Sequence, residues 1–503
     1  MTSSRRDGRD AASEREVKLL AGPGFHLPDL EGLADGVQAG PARERRLDAL
    51  YWDTPDLRLT RWGVSLRHRE PEGWTLKLPE QAGGVVLSRT ELVFDGPPRT
   101  VPEPASHLVR AYVRRARLVP VARLASRRRT IPLRDSAGGL VAELVDDDVS
   151  VLERRRVKVR FREVEIELGQ HAETVLPVLL ERLRAVGAEP AAVPKVVRAL
   201  GAGALRPPEI LPVELGRRPT VSDVVRHAVA AAATLVFRHD PGVRLGSDPE
   251  HVHQARVGAR RLRSHLRTFR AVLDREWADS LRVELAWLAG ELGAVRDQEV
   301  LRDRLLGYTE RLPDPDRDPM RRLDDALRSG IDAARAELIE AMDSRRYVDL
   351  LERLVEAANR PALQEEAGKR AAQRVLPALA RKPWRALRAS VAELPADPPD
   401  EGLHRCRILA KRARYAAEAV AATRGAGARR FARAAAGLQD VLGELQDSVT
   451  AQRWLRDRSG ARSSSYVAGE LAGLELVRAD AARDAWRQAW DRLDRKKLRA
   501  WMR

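Results

Sequence analysis

Two charged patterns in this chain could do chemistry. The first alternates acid and base along strand-like segments. Glu14, Glu16 and Lys18 share one face of a period-two run, as do Arg67 with Arg69, Arg89 with Glu91, Arg127 with Arg129, and Glu163 with Glu165 and Glu167. Lys77 lies in the similar run Trp74-Thr-Leu-Lys-Leu-Pro79. Carboxylates hold a hard divalent cation, and Arg and Lys hold the phosphate oxygens that a metal leaves uncovered. A metal–phosphate complex needs both kinds of group.

The second pattern is a basic stripe that occurs twice. His253-Gln-Ala-Arg256-Val-Gly-Ala-Arg260-Arg-Leu-Arg263 returns without a gap as His404-Arg-Cys-Arg407-Ile-Leu-Ala-Lys411-Arg-Ala-Arg414, 151 residues on (404 − 253). On a helix His253, Arg256, Arg260 and Arg263 fall on one side, with Ala255, Ala259, Leu262 and Leu266 opposite. The second copy sets His404, Arg407, Lys411 and Arg414 against Cys406, Ala410, Ala413 and Ala417. Like charges at this spacing repel by a few tenths of a kcal/mol per pair unless an anion offsets them. One stripe in an Arg-rich chain would read as a solvated helix face. A second copy, with Leu292-Gly293 followed by Asp297 and Leu442-Gly443 followed by Asp447 at nearly the same offset, marks a duplicated helical unit and makes the stripe a candidate anion site.

These patterns require two kinds of scaffold. Strand after strand with charges facing one way implies a closed sheet with a polar interior. Residues 1–13 read as a polar, disordered tail, 14–200 as the β-rich domain, and 201–218 as a Gly/Pro-rich linker. From 219 to 503 the chain is dense in Ala, Leu, Arg and Glu, enough for two bundles of about four helices each. A net charge of +17 points to an anionic partner. The single cysteine, Cys406, excludes an intramolecular disulfide framework and suits the cytoplasm, and no apolar run reads as a signal peptide or membrane span.

The first half resembles the CYTH domain, the triphosphate tunnel metalloenzyme family. Glu14-Arg-Glu16-Val-Lys18 matches its Glu-x-Glu-x-Lys signature, and Tyr51-Trp-Asp-Thr-Pro-Asp-Leu-Arg-Leu, Leu66-Arg-His-Arg69, Trp74-Thr-Leu-Lys77 and Pro194-Lys195 follow as successive landmarks. The resemblance implies a mainly antiparallel β tunnel of eight strands with flanking helices that binds a triphosphate with Mg²⁺ or Mn²⁺ and usually hydrolyses it. Carried over, Glu14, Glu16 and Lys18 are the catalytic residues. Glu14, Glu16, Asp147, Glu163 and Glu165 are the metal ligands, and Arg67, Arg69, Lys77, Arg89, Arg129 and Lys195 hold substrate. A one-residue slip in register would exchange the faces of Arg127-Arg128-Arg129.

The second half resembles the CHAD domain, all-α with two pseudo-symmetric four-helix halves. That resemblance implies binding of inorganic polyphosphate through His253, Arg256, Arg260, Arg263, His404, Arg407, Lys411 and Arg414. The expectation is a cytoplasmic, metal-dependent triphosphatase coupled to polyphosphate binding, with association to polyphosphate granules. The rival is a non-catalytic polyphosphate-binding or granule-associated protein. Inorganic, thiamine and nucleoside triphosphates, and a cyclase reaction on ATP, remain open. Nucleic acid is disfavoured because aromatics are 4% of the chain and the stripes lack rings for base stacking.

Overall fold

A computed structural model describes residues 12–502 apart from 23, 81–85, 155, 192 and 459–461. Residues 1–11 of the expected tail lie outside the described residues, and its last two, Ala12 and Ser13, instead pair with Glu91 and Thr90 in a strand. The chain divides into two compact units, Met1–Glu209 and Ile210–Arg503.

In the first unit eight strands close into an antiparallel barrel. They are β1 (Ala12–Ala21), β2 (Arg43–Asp53), β3 (Ser65–Arg69), β4 (Gly73–Pro79), β5 (Leu87–Phe94), β6 (Val119–Arg134), β7 (Leu140–Glu153) and β8 (Arg156–Leu168). The order runs β1-β5-β4-β3-β2-β6-β7-β8, and β8 pairs again with β1 to close it. Period-two alternation sends Glu16 and Lys18 inward while Val17 and Leu19 pack outside with Leu144, Val164 and Ile166. Helix α1 (Leu176–Ala185) covers that outer face with Leu179 and Leu183, so on this side the larger hydrophobic core lies outside the barrel while Glu16 and Lys18 lie inside. Helix α2 (Lys195–Leu200) brings Val196 against Ala49, Tyr51, Leu124 and Val149 within the barrel, and Lys195 enters the interior with it.

The motif Tyr51-Trp-Asp-Thr-Pro-Asp has a structural job. The Asp53 carboxylate is 1% exposed and accepts from the backbone N–H of Thr54 (2.6 Å), Leu59 (2.8 Å) and Thr60 (2.8 Å) and from the Thr60 hydroxyl (2.7 Å). It thereby caps the short helix Arg58–Arg61. Burial pushes its pKa up, against the four hydrogen bonds. Asp53→Ala leaves those donors buried and unpaired, and thermal or urea denaturation is expected to show a loss of about 3 kcal/mol.

The second unit is helical: α3 (Val221–Leu245), α4 (Pro249–Thr268), α5 (Arg275–Leu306), α6 (Arg317–Asp343), α7 (Arg345–Asn359), α8 (Ala372–Ala392), α9 (Asp400–Arg458), α10 (Arg462–Leu493) and α11 (Lys496–Arg499). Gly425, at φ 59°, breaks α9 in two. The duplication is written in the helix starts: α8 begins 151 residues after α3 (372 − 221), and α9 begins 151 after α4 (400 − 249). Arg304 ties the halves together, donating to Glu444 and Glu475 at 2.7 Å each beside the shared core of Leu301, Leu305, Ala451, Leu455 and Leu471. Among the C-terminal tryptophans, Trp486 and Trp501 are buried and Trp490 stacks on Trp384 at 5.5 Å. Cys406 is buried beside Ser390.

Candidate functional site

The barrel encloses a cavity of about 210 Å³ whose wall is charged almost throughout. Lys18, Arg67, Arg69, Lys77, Arg89, Arg128 and Lys195 face it, as do Glu14, Glu91, Glu165 and Glu167. Strand register explains the convergence. Lys18 lies opposite Glu165, Glu16 opposite Glu167, Lys77 opposite Glu91, and Arg128 opposite Asp147, and directly opposed residues share a face.

The carboxylates form two groups. Around Lys18 and Lys195 stand Glu16, Glu163, Glu165 and Asp147: Lys18 is ion-paired to Glu165 and to Glu16 (2.9 Å), and Lys195 to Asp147 and to Glu165 (2.8 Å). Arg128 adds contacts to Asp147 (2.7 Å) and Glu165 (3.2 Å). Around Lys77 stand Glu14 (2.5 Å) and Glu91 (2.8 Å).

Burial opposes the charges of Lys18, Glu163, Glu165, Glu167 and Arg69, and the outcome depends on the partners. It works against the Lys18 ammonium, yet Glu165, Glu16 and Glu163 outweigh it and raise the pKa. Against the same desolvation, Lys18, Lys195 and Arg128 hold Glu165 well below the usual carboxylate range. Glu163 is different: burial with Glu165 alongside pushes it up to about 7 despite the two lysines. Burial and Glu165 likewise push Glu167 up to about 7. Arg69 is pushed down by burial and by its neighbour Arg67, as expected of cations gathered in excess.

Among the described residues no three carboxylates or histidines gather closely enough to hold a metal as the side chains stand. Lysines stand between the carboxylates instead. Still, both oxygens of Glu163 and Oε1 of Glu16 are buried without a hydrogen-bond donor. Glu163 is held only by longer ion pairs to Lys18 and Lys195 (3.7 Å each), and buried carboxylate oxygens that accept no hydrogen bond suit a hard divalent cation.

One expected residue is misplaced. Arg129 lies on the outer face with Glu44, Asp146, Asp148 and Arg162, and Arg128 takes the inward position. The reason is register: Arg129 pairs with Asp146 and Arg128 with Asp147, so Arg129 and Asp147 cannot point the same way. The other substrate-binding residues expected from sequence all reach the cavity. Tyr51 and Ser65 also line it, and Tyr51 hydrogen-bonds Arg67.

In the helical unit, Arg256 and Arg260 on α4 meet Arg407 and Lys411 on α9. The cations act on one another: burial and then Arg260, Arg407 and Arg256 push Lys411 down to about 7. Burial also lowers Arg260, with Arg256 and Arg407 adding to the effect. Arg256 lies 3.6 Å from the position a Cβ on Gly293 would take, and Arg407 lies 3.6 Å from that on Gly443. The duplicated Leu-Gly pairs thus mark where each guanidinium rests on the next helix. Arg256 pairs with Asp297 at 2.9 Å, while Nε of both Arg256 and Arg407 is buried without an acceptor.

The rest of the stripe divides. Arg263 is lowered by burial and by Arg282 and Arg412, and Arg267 falls to about 10 for the same reasons. Arg282 and Arg412 belong to this second cationic cluster and were not legible from the stripe. Arg414 instead pairs with Glu418 at 2.7 Å. His253 lies near Arg296, Arg256 and Arg260, and burial lowers its pKa, while His404 is exposed.

The model of the CYTH domain matches residues 12–189, and that of the CHAD domain matches 227–456. Uncharacterized proteins from two strains of Mycobacterium tuberculosis are 30% identical over 499 residues, covering 93% of this chain and 94% of theirs. The chain belongs to the family of CYTH–CHAD proteins. Among solved structures, PptA from Streptomyces chartreusis is 27% identical with a TM-score of 0.45, covering 54% of this chain and 99% of that one. The CHAD domain from the plant Ricinus communis is 26% identical with a TM-score of 0.46, covering 56% and 95%. Among the described residues of the CYTH–CHAD chain no helix is long and apolar enough to cross a membrane.

The CHAD cluster has a pH signature. A lysine whose pKa is depressed on folding makes the unfolded chain bind more protons between about pH 7 and the ordinary lysine value near 10.4. Stability is therefore expected to rise with pH across that window and to lose this component in Lys411→Met, as a denaturation series over pH would read. A bound polyanion restores the charge, so binding at pH 8 is expected to take up a proton, visible as a buffer-dependent calorimetric enthalpy.

Proposed function

We propose that the CYTH tunnel hydrolyses inorganic triphosphate with the help of a divalent cation, Mg²⁺ or Mn²⁺, and that the CHAD cluster binds inorganic polyphosphate. The observation that carries this reading is the cavity wall, with seven cations facing four carboxylates in about 210 Å³. Arg67, Arg69, Lys77, Arg89 and Arg128 match the negative oxygens of a short phosphate chain. Among the described residues, apart from Tyr51, only Pro194 and Val196 give the wall apolar surface, leaving little platform for a nucleobase or thiamine ring.

Glu16, Glu163 and Glu165 would hold the cation, which when bound neutralises phosphate charge and activates water. The protein's own part is positioning and electrostatics. Lys18 and Lys195 keep Glu165 ionised, Lys77 keeps Glu91 so, and the arginines hold the chain in line while water attacks the terminal phosphorus and the P–O bond to the remaining diphosphate breaks. No side-chain nucleophile is needed.

A second reading has its own support. With Glu165, Asp147 and Glu14 already ion-paired to Lys18, Lys195 and Lys77, the tunnel could hold a phosphate chain without cleaving it. A phosphate-release panel over tripolyphosphate, ATP, thiamine triphosphate and long-chain polyphosphate separates the two. Selective, metal-dependent release from tripolyphosphate supports the hydrolase; binding without release from any substrate supports the binding protein. The cytoplasm, and polyphosphate granules within it, are the proposed location.

A further inference from the structure

The duplication also reveals a place where the halves have diverged. In the first half Arg346, at the start of α7, lies 4.2 Å over the ring of Trp287 and donates to Glu284 at 2.7 Å. Trp287 and Glu284 sit one helical turn apart on α5, so ring and carboxylate fill the space beside that arginine together.

The corresponding residues of the second half are fixed by the offsets already given. The Leu-Gly pairs lie 150 residues apart (442 − 292), which sets Gly437 against Trp287 and Ala434 against Glu284. Helices α7 and α11 start 151 apart (496 − 345), which sets Lys497 against Arg346. Gly437, Ala434 and Lys497 all line one groove of about 500 Å³. Where the first half has a ring and a carboxylate, the second has open space, and nothing lies within 4 Å of a Cβ built on Gly437.

The groove is charged around an apolar floor. Leu438, Val441, Ala489 and Leu498 form the floor, and Arg430, Arg433, Arg492, Arg495 and Lys497 surround it. All five cations are exposed, and among the described residues no acidic side chain lines the groove. Among the described residues none of the five makes an ion pair. One carboxylate balances Arg346 in the first half. Five uncompensated cations call for a ligand with several negative charges. The missing tryptophan calls for a flat ring, which Arg and Lys attract through its face, and the volume is that of a small-molecule site.

We propose that this groove of the CHAD domain binds a nucleotide, the base lying where Trp287 lies in the first half and the di- or triphosphate among the five cations. It is a site separate from the Arg256–Lys411 cluster, since none of its lining residues belongs to that cluster. Acting beside polyphosphate binding, it would let the protein sense a nucleoside polyphosphate.

The test titrates the full chain with a fluorescent N-methylanthraniloyl ADP and compares wild type with Gly437→Trp/Ala434→Glu, which copies the first half's own filling. Affinity is expected to fall at least tenfold in the variant, with tripolyphosphate hydrolysis unchanged. Arg433→Ala/Lys497→Ala, which alters only exposed, unpaired side chains, should show the same loss if the filled variant fails to fold. Unlabelled ADP should displace the probe well, and inorganic tripolyphosphate should do so at least tenfold less well. Equal probe binding in wild type and variants would overturn the site, and equal displacement by tripolyphosphate would reduce it to an anion surface.

Discussion

Arg128→Ala is expected to lower triphosphate hydrolysis by on the order of 10²–10³-fold, the range seen when one preorganised charge-stabilising donor is removed, while Arg129→Ala leaves it within about twofold. The two residues are adjacent and identical in type, so only their direction separates them. Arg128 faces the cavity and contacts Asp147 at 2.7 Å and Glu165 at 3.2 Å, whereas Arg129 lines the outer face with Glu44 and Asp146. Removing Arg128 takes a phosphate-facing cation away and leaves Lys195 as the main partner of Asp147. Arg128→Lys restores the charge without the two-pronged geometry and should recover part of the rate. Steady-state phosphate release for the three variants decides it. A larger defect in Arg129→Ala would show that β6 pairs in the other register.

Neutralising Arg256, Arg260, Arg407 and Lys411 together to glutamine is expected to weaken long-chain polyphosphate binding by on the order of 10³-fold. Hydrogen bonds to charged groups contribute about 1.5–3 kcal/mol each, and even half of four such contacts reaches that factor. These four are chosen because burial and mutual repulsion mark them as one cluster, whereas Arg414 is occupied by Glu418. Repulsion also predicts that the variant is at least as stable as wild type without ligand. Salt dependence should become shallower, since fewer counterions are released. Filter binding and a melting curve check both; intact binding would move polyphosphate to the Arg263–Arg412 cluster.

Much of the site was legible because period and chemistry coincide. Glu16 with Lys18, Arg67 with Arg69, and the glutamates of β8 alternate on strands whose other residues are core, so pattern alone set their direction. Arg128 was not legible, because three arginines in a row carry no alternation. Its signal lay in the hairpin: once Asp147 is placed inside, the antiparallel partner must be inside too, and that partner is Arg128. The stripes were read correctly as helix faces. What they could not give was the pairing across the duplication, which joins Arg260 to Lys411, turns Arg414 aside, and gathers Arg412, off the stripe's face, with Arg282 from outside the motif. Asp53 was legible as a landmark but not as a cap, since its partners Leu59 and Thr60 are set by backbone geometry.

The central claim is that buried carboxylates of the barrel serve metal-dependent triphosphate hydrolysis. Phosphate release from tripolyphosphate by wild type and Glu16→Gln, each with and without Mg²⁺ or Mn²⁺, tests it most directly, because Glu16 is 1% exposed and Gln preserves its shape. The account predicts activity only for wild type with metal and a loss of at least 100-fold in the variant, the scale of removing a charge-stabilising group. Equal rates in the two proteins, or equal rates with and without metal, would contradict it.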